Sequence, residues 1–211
     1  MRPPAPLPPL YAIVDPLDTG RDPIALARAM LDGGARLLQL RVKRAAPREL
    51  HIIAQAVRDL ARGTGATVLV NDRPDVAATA GVDGVHLGQD DVPPAVAASI
   101  LPASAWIGLS THDAEQVEAA HAVGPSYVAV GPVYATESKD DALSPRGLAL
   151  VREARRRTDR PLVAIGGITA GTAVAVRDAG ADSVAMIGAI VKSPDVTATV
   201  RDLLAALGAG S

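Results

Sequence analysis

Short apolar runs alternate with helix-like segments along nearly the whole chain, and this alternation limits the fold more than any other feature. The runs lie at 11–14, 36–42, 67–70, 84–87, 106–109, 127–130, 161–165 and 183–187. Helix-like stretches separate them, at 23–32, 47–61, 74–80, 93–100, 114–123, from past Pro145 to Arg157, at 169–179, and one last helix reaching Leu207. In the second of these, Leu50, Ile53, Ala54 and Val57 recur at helical spacing on one face. A strand buried on both faces reads as a continuous apolar run. Strands alternating with helices imply parallel pairing through right-handed crossovers. About eight units of roughly 25 residues predict an α/β fold, a closed (β/α)₈ TIM barrel forming a single domain over 11–208. Residues 1–10, MRPPAPLPPL, read as a short extended lead-in, too rich in proline for a signal segment. A doubly wound open sheet is the other architecture, but YAIVDPLDTG carries no G-x-G-x-x-G after the first strand. AGVDGVHLGQ and AGADSVAMIG echo each other, as a repeated unit would.

Composition removes several function classes. With no Phe, one Trp and three Tyr, there is little to stack against bases. A net charge of −2 gives no basic footprint for a polynucleotide or an anionic membrane. No apolar run approaches the roughly 18 residues of a membrane span. The absence of Cys excludes disulfides, thiolate metal sites and cysteine nucleophiles, and is compatible with a cytoplasmic protein. No H-x-H or H-E-x-x-H pattern supports zinc. The expected partners are small phosphorylated molecules, with neither nucleic acid nor membrane. The oligomeric state stays open, a homo-oligomer included.

In a barrel the active groups stand after the strands. Gln39, Arg41 and Lys43 alternate along strand two, so all three side chains share one side. Aimed at the interior, they are costly unless they meet an anion near the mouth. The reverse register, with Leu40 and Val42 inward, remains open. Strand three ends in Asn71-Asp72, and strand four is followed by Gln89-Asp90-Asp91. Asp72 and Asp91 are candidate ligands of a metal–diphosphate complex, because oxygen-only donors beside phosphate suit Mg²⁺. The competing role for both is to cap the helices that follow. Strand five ends in Ser110-Thr111-His112. Thr111 reads as a cap, Ser110 is within reach of a phosphate, and Asp113 is expected to cap the next helix. His86 reads as packed within its strand. The loop GPVYATESKDDALSPRG is long for a strand-to-helix connection and is either a lid or a solvated segment. Thr136, Ser138 and Lys139 give it two hydroxyls and a cation. Strands seven and eight end in Gly166-Gly167 and Ile187-Gly188, where bare backbone can approach a second, monophosphate ligand.

QLRVK, VNDR, GVHLGQDD, GLSTH, GPVYATESK, AIGGIT and the IGAI ending, in this order from Tyr11 to Ile190, resemble the successive motifs of the thiamine-phosphate synthase family. The resemblance implies a (β/α)₈ barrel transferase of thiamine biosynthesis. It would join 4-amino-2-methyl-5-hydroxymethylpyrimidine diphosphate to a thiazole phosphate, or its carboxylated form, releasing diphosphate with the help of Mg²⁺. By resemblance, Gln39, Arg41, Lys43, Asn71, Ser110 and Lys139 hold the pyrimidine diphosphate, and Arg41, Lys43, Lys139 and Ser110 assist its departure. Asp72 and Asp91 take the Mg²⁺. Thr136, Ser138, Gly167, Ile187 and Gly188 take the thiazole phosphate.

Two positions depart from the family pattern. Ser138 stands where the synthases usually have a second threonine, and Gly188 where strand eight usually ends in serine. T-x-S-K also recurs in the related thiazole tautomerase, which uses a histidine at the position of His112. Its members generally lack the full diphosphate set that stands here in Arg41, Lys43, Asp72, Gln89 and Asp91. A different phosphate-handling barrel enzyme and a non-catalytic phosphate-binding relative are the two remaining classes compatible with these residues.

Overall fold

A computed structural model describes residues 6–16, 19–136 and 144–208. The elements run β1 (Leu10–Val14), α1 (Pro23–Asp32), β2 (Leu37–Leu40), α2 (Pro47–Ala61), β3 (Thr67–Asn71), α3 (Pro74–Ala80), β4 (Gly84–Leu87), α4 (Pro94–Ile100), β5 (Trp106–Thr111) and α5 (Ala114–Val123). They continue with β6 (Tyr127–Val130), α6 (Gly147–Arg157), β7 (Leu162–Ile165), α7 (Ala170–Asp178), β8 (Ser183–Met186), α8 (Gly188–Val191) and α9 (Val196–Ala206). The eight strands pair in parallel, each with its sequence neighbours, and β8 returns to β1 to close the barrel. A doubly wound open sheet is thereby excluded.

Local chemistry places the boundaries. Proline opens α1, α2, α3 and α4, where a missing N–H costs nothing. Asp22, Asp113 and Asp195 cap α1, α5 and α9, each accepting a backbone N–H with its carboxylate. The strands are mostly apolar because both faces are covered, and the polar exceptions include Gln39, His86 and Ser110 on the inward face. In α2, Leu50, Ile53 and Val57 are buried against the sheet, worth about 1.5–3 kcal/mol each.

Several boundaries differ from the sequence reading. The lead-in is shorter, since β1 starts at Leu10 and Leu7 is already buried. β2 stops at Leu40, so Arg41 and Lys43 lie on the loop beyond it. β8 stops at Met186. The last helix is two, because Pro194 restricts the residue before it and Asp195 starts a new helix.

The echoed segments are structurally equivalent. Asp83, before β4, donates its N–H to Val68 O and accepts Val68 N–H at Oδ2 (2.9 and 2.7 Å). Asp182, before β8, does the same with Leu162 (both 2.8 Å). Each aspartate fastens the start of the preceding strand to its own. Among the described residues no helix is long and apolar enough to cross a membrane.

Candidate active site

Two adjoining cavities open at the end of the barrel where the strands terminate. The first, about 480 Å³, is lined by Gln39, Arg41, Lys43, Asn71, Asp72, Asp91 and Ser110, with His86, Gln89 and His112. The second, about 410 Å³, is lined by Thr136, Gly166, Gly167, Ile187, Gly188 and Lys192. Ile165, Ala185 and Ile187 form the wall common to both. Ser138 and Lys139 lie outside the described residues, as does the middle of the loop read as a lid.

The strand register decides which groups face inward. Tyr11 and Ile13, Gln39 and Arg41, His86 and Gly88, Ser110 and His112, Val163 and Ile165 all line the first cavity, each pair two residues apart. Gln39, Arg41 and Lys43 therefore point into the barrel, and the reverse register is wrong. Leu38 and Leu40 are instead buried on the other face. Arg41 is only 7% exposed and donates to the Asp15 carboxylate, so its guanidinium is held in place before any ligand arrives.

Asp72 is the only described non-glycine residue with a positive φ, at 63°. Its N–H donates to His86 O (2.8 Å), which ties the turn after β3 to β4. Asp91 Oδ2 accepts the Gly88 N–H at 2.6 Å. Neither carboxylate caps a helix. The residues preceding α3 and α4 are Arg73 and Pro93, neither with a side-chain cap bond. Burial pushes the Asp72 carboxyl up to about 6, and the hydrogen bond and charge of Asp91 push the same way, with Lys43 and Arg41 only partly opposing them. Two carboxylates thus meet at one partly buried spot, with Lys43 and Arg41 nearby.

Thr111 is not a cap. Its hydroxyl donates to Ala129 O at 3.0 Å, across to β6, and Asp113 caps α5 as expected. His86 bonds at both ring nitrogens, to Tyr127 and Ser110. In the second cavity, Gly167 has φ 60°, and a Cβ there would stand 2.2 Å from Ala135 O. The backbone at this edge can only be bare.

Sequence reasoning missed Asp15, Lys192 and the pair Tyr11–Tyr127, and it gave Gln89 no structural role. Gln89 Nε2 donates to Ser110 O (2.6 Å) and so holds the end of β5. A signal for the tyrosines exists: they are two of only three, in a chain without Phe, and both stand at strand starts.

A family model described as thiamine monophosphate synthase matches residues 10–190. A thiamine-phosphate synthase of Methanoculleus marisnigri is 47% identical over 195 residues, covering 92% of either chain. One of Chloroflexus aurantiacus is 42% identical over 197 residues, covering 93% of this chain and 91% of the relative. Among solved structures, a thiamine phosphate pyrophosphorylase from Pyrococcus furiosus superposes with a TM-score of 0.86 at 31% identity, covering 95% of this chain and 96% of the other.

Proposed function

We propose a mechanism on the premise that this chain belongs to the thiamine monophosphate synthase family and that its activity is thiamine-phosphate synthesis, a group transfer between phosphorylated small molecules. One observation carries the mechanism: a cavity bearing cations and paired carboxylates shares a wall with a second cavity edged by glycine. The pyrimidine diphosphate takes the first and the thiazole phosphate the second.

Mg²⁺ fits the first cavity on its donor set. Asp72 and Asp91 are hard oxygen donors held side by side, and a divalent cation between them would offset the burial and the mutual repulsion that raise the Asp72 carboxyl. Bound there, Mg²⁺ supplies charge neutralisation on the diphosphate oxygens. Asn71 stands beside this pair at the end of β3.

The chain's own residues do the rest. Arg41, preset by Asp15, offers its remaining N–H donors to the diphosphate, and Lys43 adds a point charge. Both stabilise the negative charge that grows on the leaving group as the methylene C–O bond breaks. By the family resemblance Lys139, outside the described residues, would add a third cation. The electron-rich aminopyrimidine ring bears the positive charge left on the methylene. Gln39 of β2 and Ser110 of β5 hold that ring. The backbone at Gly167 and Gly188, with Thr136 and Ser138, anchors the thiazole phosphate. Ile187 belongs to both cavities, so the anchored thiazole nitrogen meets the methylene across it. The new C–N bond forms there, and no protein nucleophile takes part. The substitution of serine by Gly188 leaves the phosphate to backbone donors at the start of α8. The tautomerase reading needs His112 beside the thiazole, whereas His112 lines the carboxylate-bearing cavity.

We place the reaction in the cytoplasm, in keeping with phosphorylated substrates and a chain without cysteine. The test is a coupling assay with pyrimidine diphosphate and thiazole phosphate, in Mg²⁺ and in EDTA, following diphosphate and thiamine phosphate. Metal-dependent product is expected. Full turnover in EDTA would remove Asp72 and Asp91 as metal ligands, and no product in Mg²⁺ would overturn the mechanism.

A further inference from the structure

Five buried polar side chains form one unbroken line beneath the first cavity. Gln39 Nε2 donates to the Tyr11 hydroxyl (2.8 Å), which lies 2.9 Å from the Tyr127 hydroxyl. That hydroxyl reaches His86 Nδ1 (2.8 Å), and His86 Nε2 meets Ser110 Oγ (2.9 Å). The line has been given room. A Cβ on Gly108 would stand 2.1 Å from the Tyr127 ring and 2.6 Å from His86 Nδ1. The His86 and Tyr127 rings stack at 18°, with centroids 5.6 Å apart.

Proton counting gives this line a direction. Each phenol has one hydrogen to donate, and a neutral imidazole has one N–H. Burial pushes both phenols well above their ordinary range, so both keep their protons. Gln39 presents an N–H to the Tyr11 oxygen, so Tyr11 passes its own hydrogen to Tyr127. Tyr127 then donates to His86 Nδ1. With Nδ1 accepting, the ring hydrogen sits on Nε2 and goes to Ser110 Oγ. The Ser110 hydrogen is left to point out of the line. A doubly protonated ring would instead leave the buried Tyr11 O–H without an acceptor, which is costly.

We propose that this line is a polarised hydrogen-bond wire that sets Ser110 as a donor and the Gln39 side-chain carbonyl as an acceptor at its two ends, and so selects an aminopyrimidine. Tyr11, Tyr127 and His86 are its positioning residues. An aminopyrimidine offers the complementary set, an amino donor and ring-nitrogen acceptors. The 4-oxo analogue reverses it, with a carbonyl acceptor and a ring N–H. The choice of ligand rests on the synthase reading, whereas the wire is a property of the free protein.

Two measurements test it. Nitrogen-15 NMR of the ligand-free wild type, with His86 assigned by its loss in His86→Gln, should show hydrogen on Nε2 and none on Nδ1. Tyr127→Phe keeps the ring and cuts the wire. It should lower kcat/KM for the pyrimidine diphosphate roughly tenfold, the effect of one neutral hydrogen bond. It should weaken the preference over the 4-oxo analogue, measured by competition, by a similar factor and leave KM for thiazole phosphate unchanged. Tyr11→Phe cuts a second link and should do the same. A merely structural role would lower the active fraction and leave the preference intact. Hydrogen on Nδ1, or on both nitrogens, in the wild type overturns the wire, as does an undiminished preference in both variants. A wild type that makes no thiamine phosphate overturns the synthase reading, and with it the ligand assigned here.

Discussion

Replacing Asp72 by Asn should stabilise the metal-free protein while removing its metal-dependent turnover. The stabilisation has a size and a pH window. The folded Asp72 carboxyl sits at about 6 against an ordinary 3.8. Below 3.8 both folded and unfolded chains hold the proton, and Asp72 contributes nothing. Between 3.8 and 6 the unfolded chain loses the proton first, so stability falls as pH rises. Above 6 the full penalty is in place. The difference corresponds to at most about 3 kcal/mol. Asp72 is only partly buried, and solvent screening brings the expectation to ~1 kcal/mol. For a chain of this length that is about 2–4 °C in Tm. Asn also tolerates the left-handed backbone at φ 63°, but that benefit does not vary with pH. The assay is thermal unfolding of wild type and variant in EDTA at pH 4 and pH 7.5. The part of the difference due to Asp72 ionisation should be small at pH 4 and reach its full value by pH 7.5, so the difference in Tm should grow between them. An equal difference at both pH values would show that the folded Asp72 carboxyl is not raised by burial and by Asp91.

Three further outcomes are expected. Asp91→Ala should fold normally, judged by circular dichroism, and lose the stimulation of turnover by Mg²⁺ seen in the wild type. Gly167→Ala should raise KM for thiazole phosphate at least tenfold, because a Cβ would strike Ala135 O and φ 60° strains it, and an unchanged KM would disprove the bare-edge argument. Among the described residues, Ser183 Oγ is buried without a hydrogen-bond partner. Ser183→Ala should therefore stabilise the fold by ~1 kcal/mol in urea unfolding, and destabilisation would mean the hydroxyl has a partner.

The strand–helix alternation was legible because a barrel strand, covered on both faces, is apolar at most positions. That same uniformity concealed the register. Leu37, Leu38 and Leu40 look alike in the chain, and only the closed barrel shows that Gln39 faces in and Leu40 out. The end of β2 was also hidden, since Arg41 and Lys43 continue the alternation after the ladder has stopped. The acidic ends after β3 and β4 were visible as residue types, but their proximity depends on neighbouring strands that the chain separates by a helix. The roles of Asp15 and Tyr127 were hidden for a stronger reason. Each acts through a partner distant in the chain, Arg41 or His86, and no local spacing encodes that pairing. The break between α8 and α9, by contrast, was written plainly in Ser193-Pro194-Asp195.

The matched aspartate fastenings, Asp83 to Val68 and Asp182 to Leu162, divide the molecule in a way its single core does not suggest. One lies in β1–β4, the other in β5–β8. Residues 102–104, between the two halves, are exposed. A chain severed there would give two fragments, each retaining its own fastening but contributing only part of the ligand machinery. Gln39, Arg41, Asp72 and Asp91 would fall on one fragment, and Ser110, Gly167 and Gly188 on the other. Coupling activity from mixed fragments would then report reassembly directly, because neither piece alone carries both substrate sites.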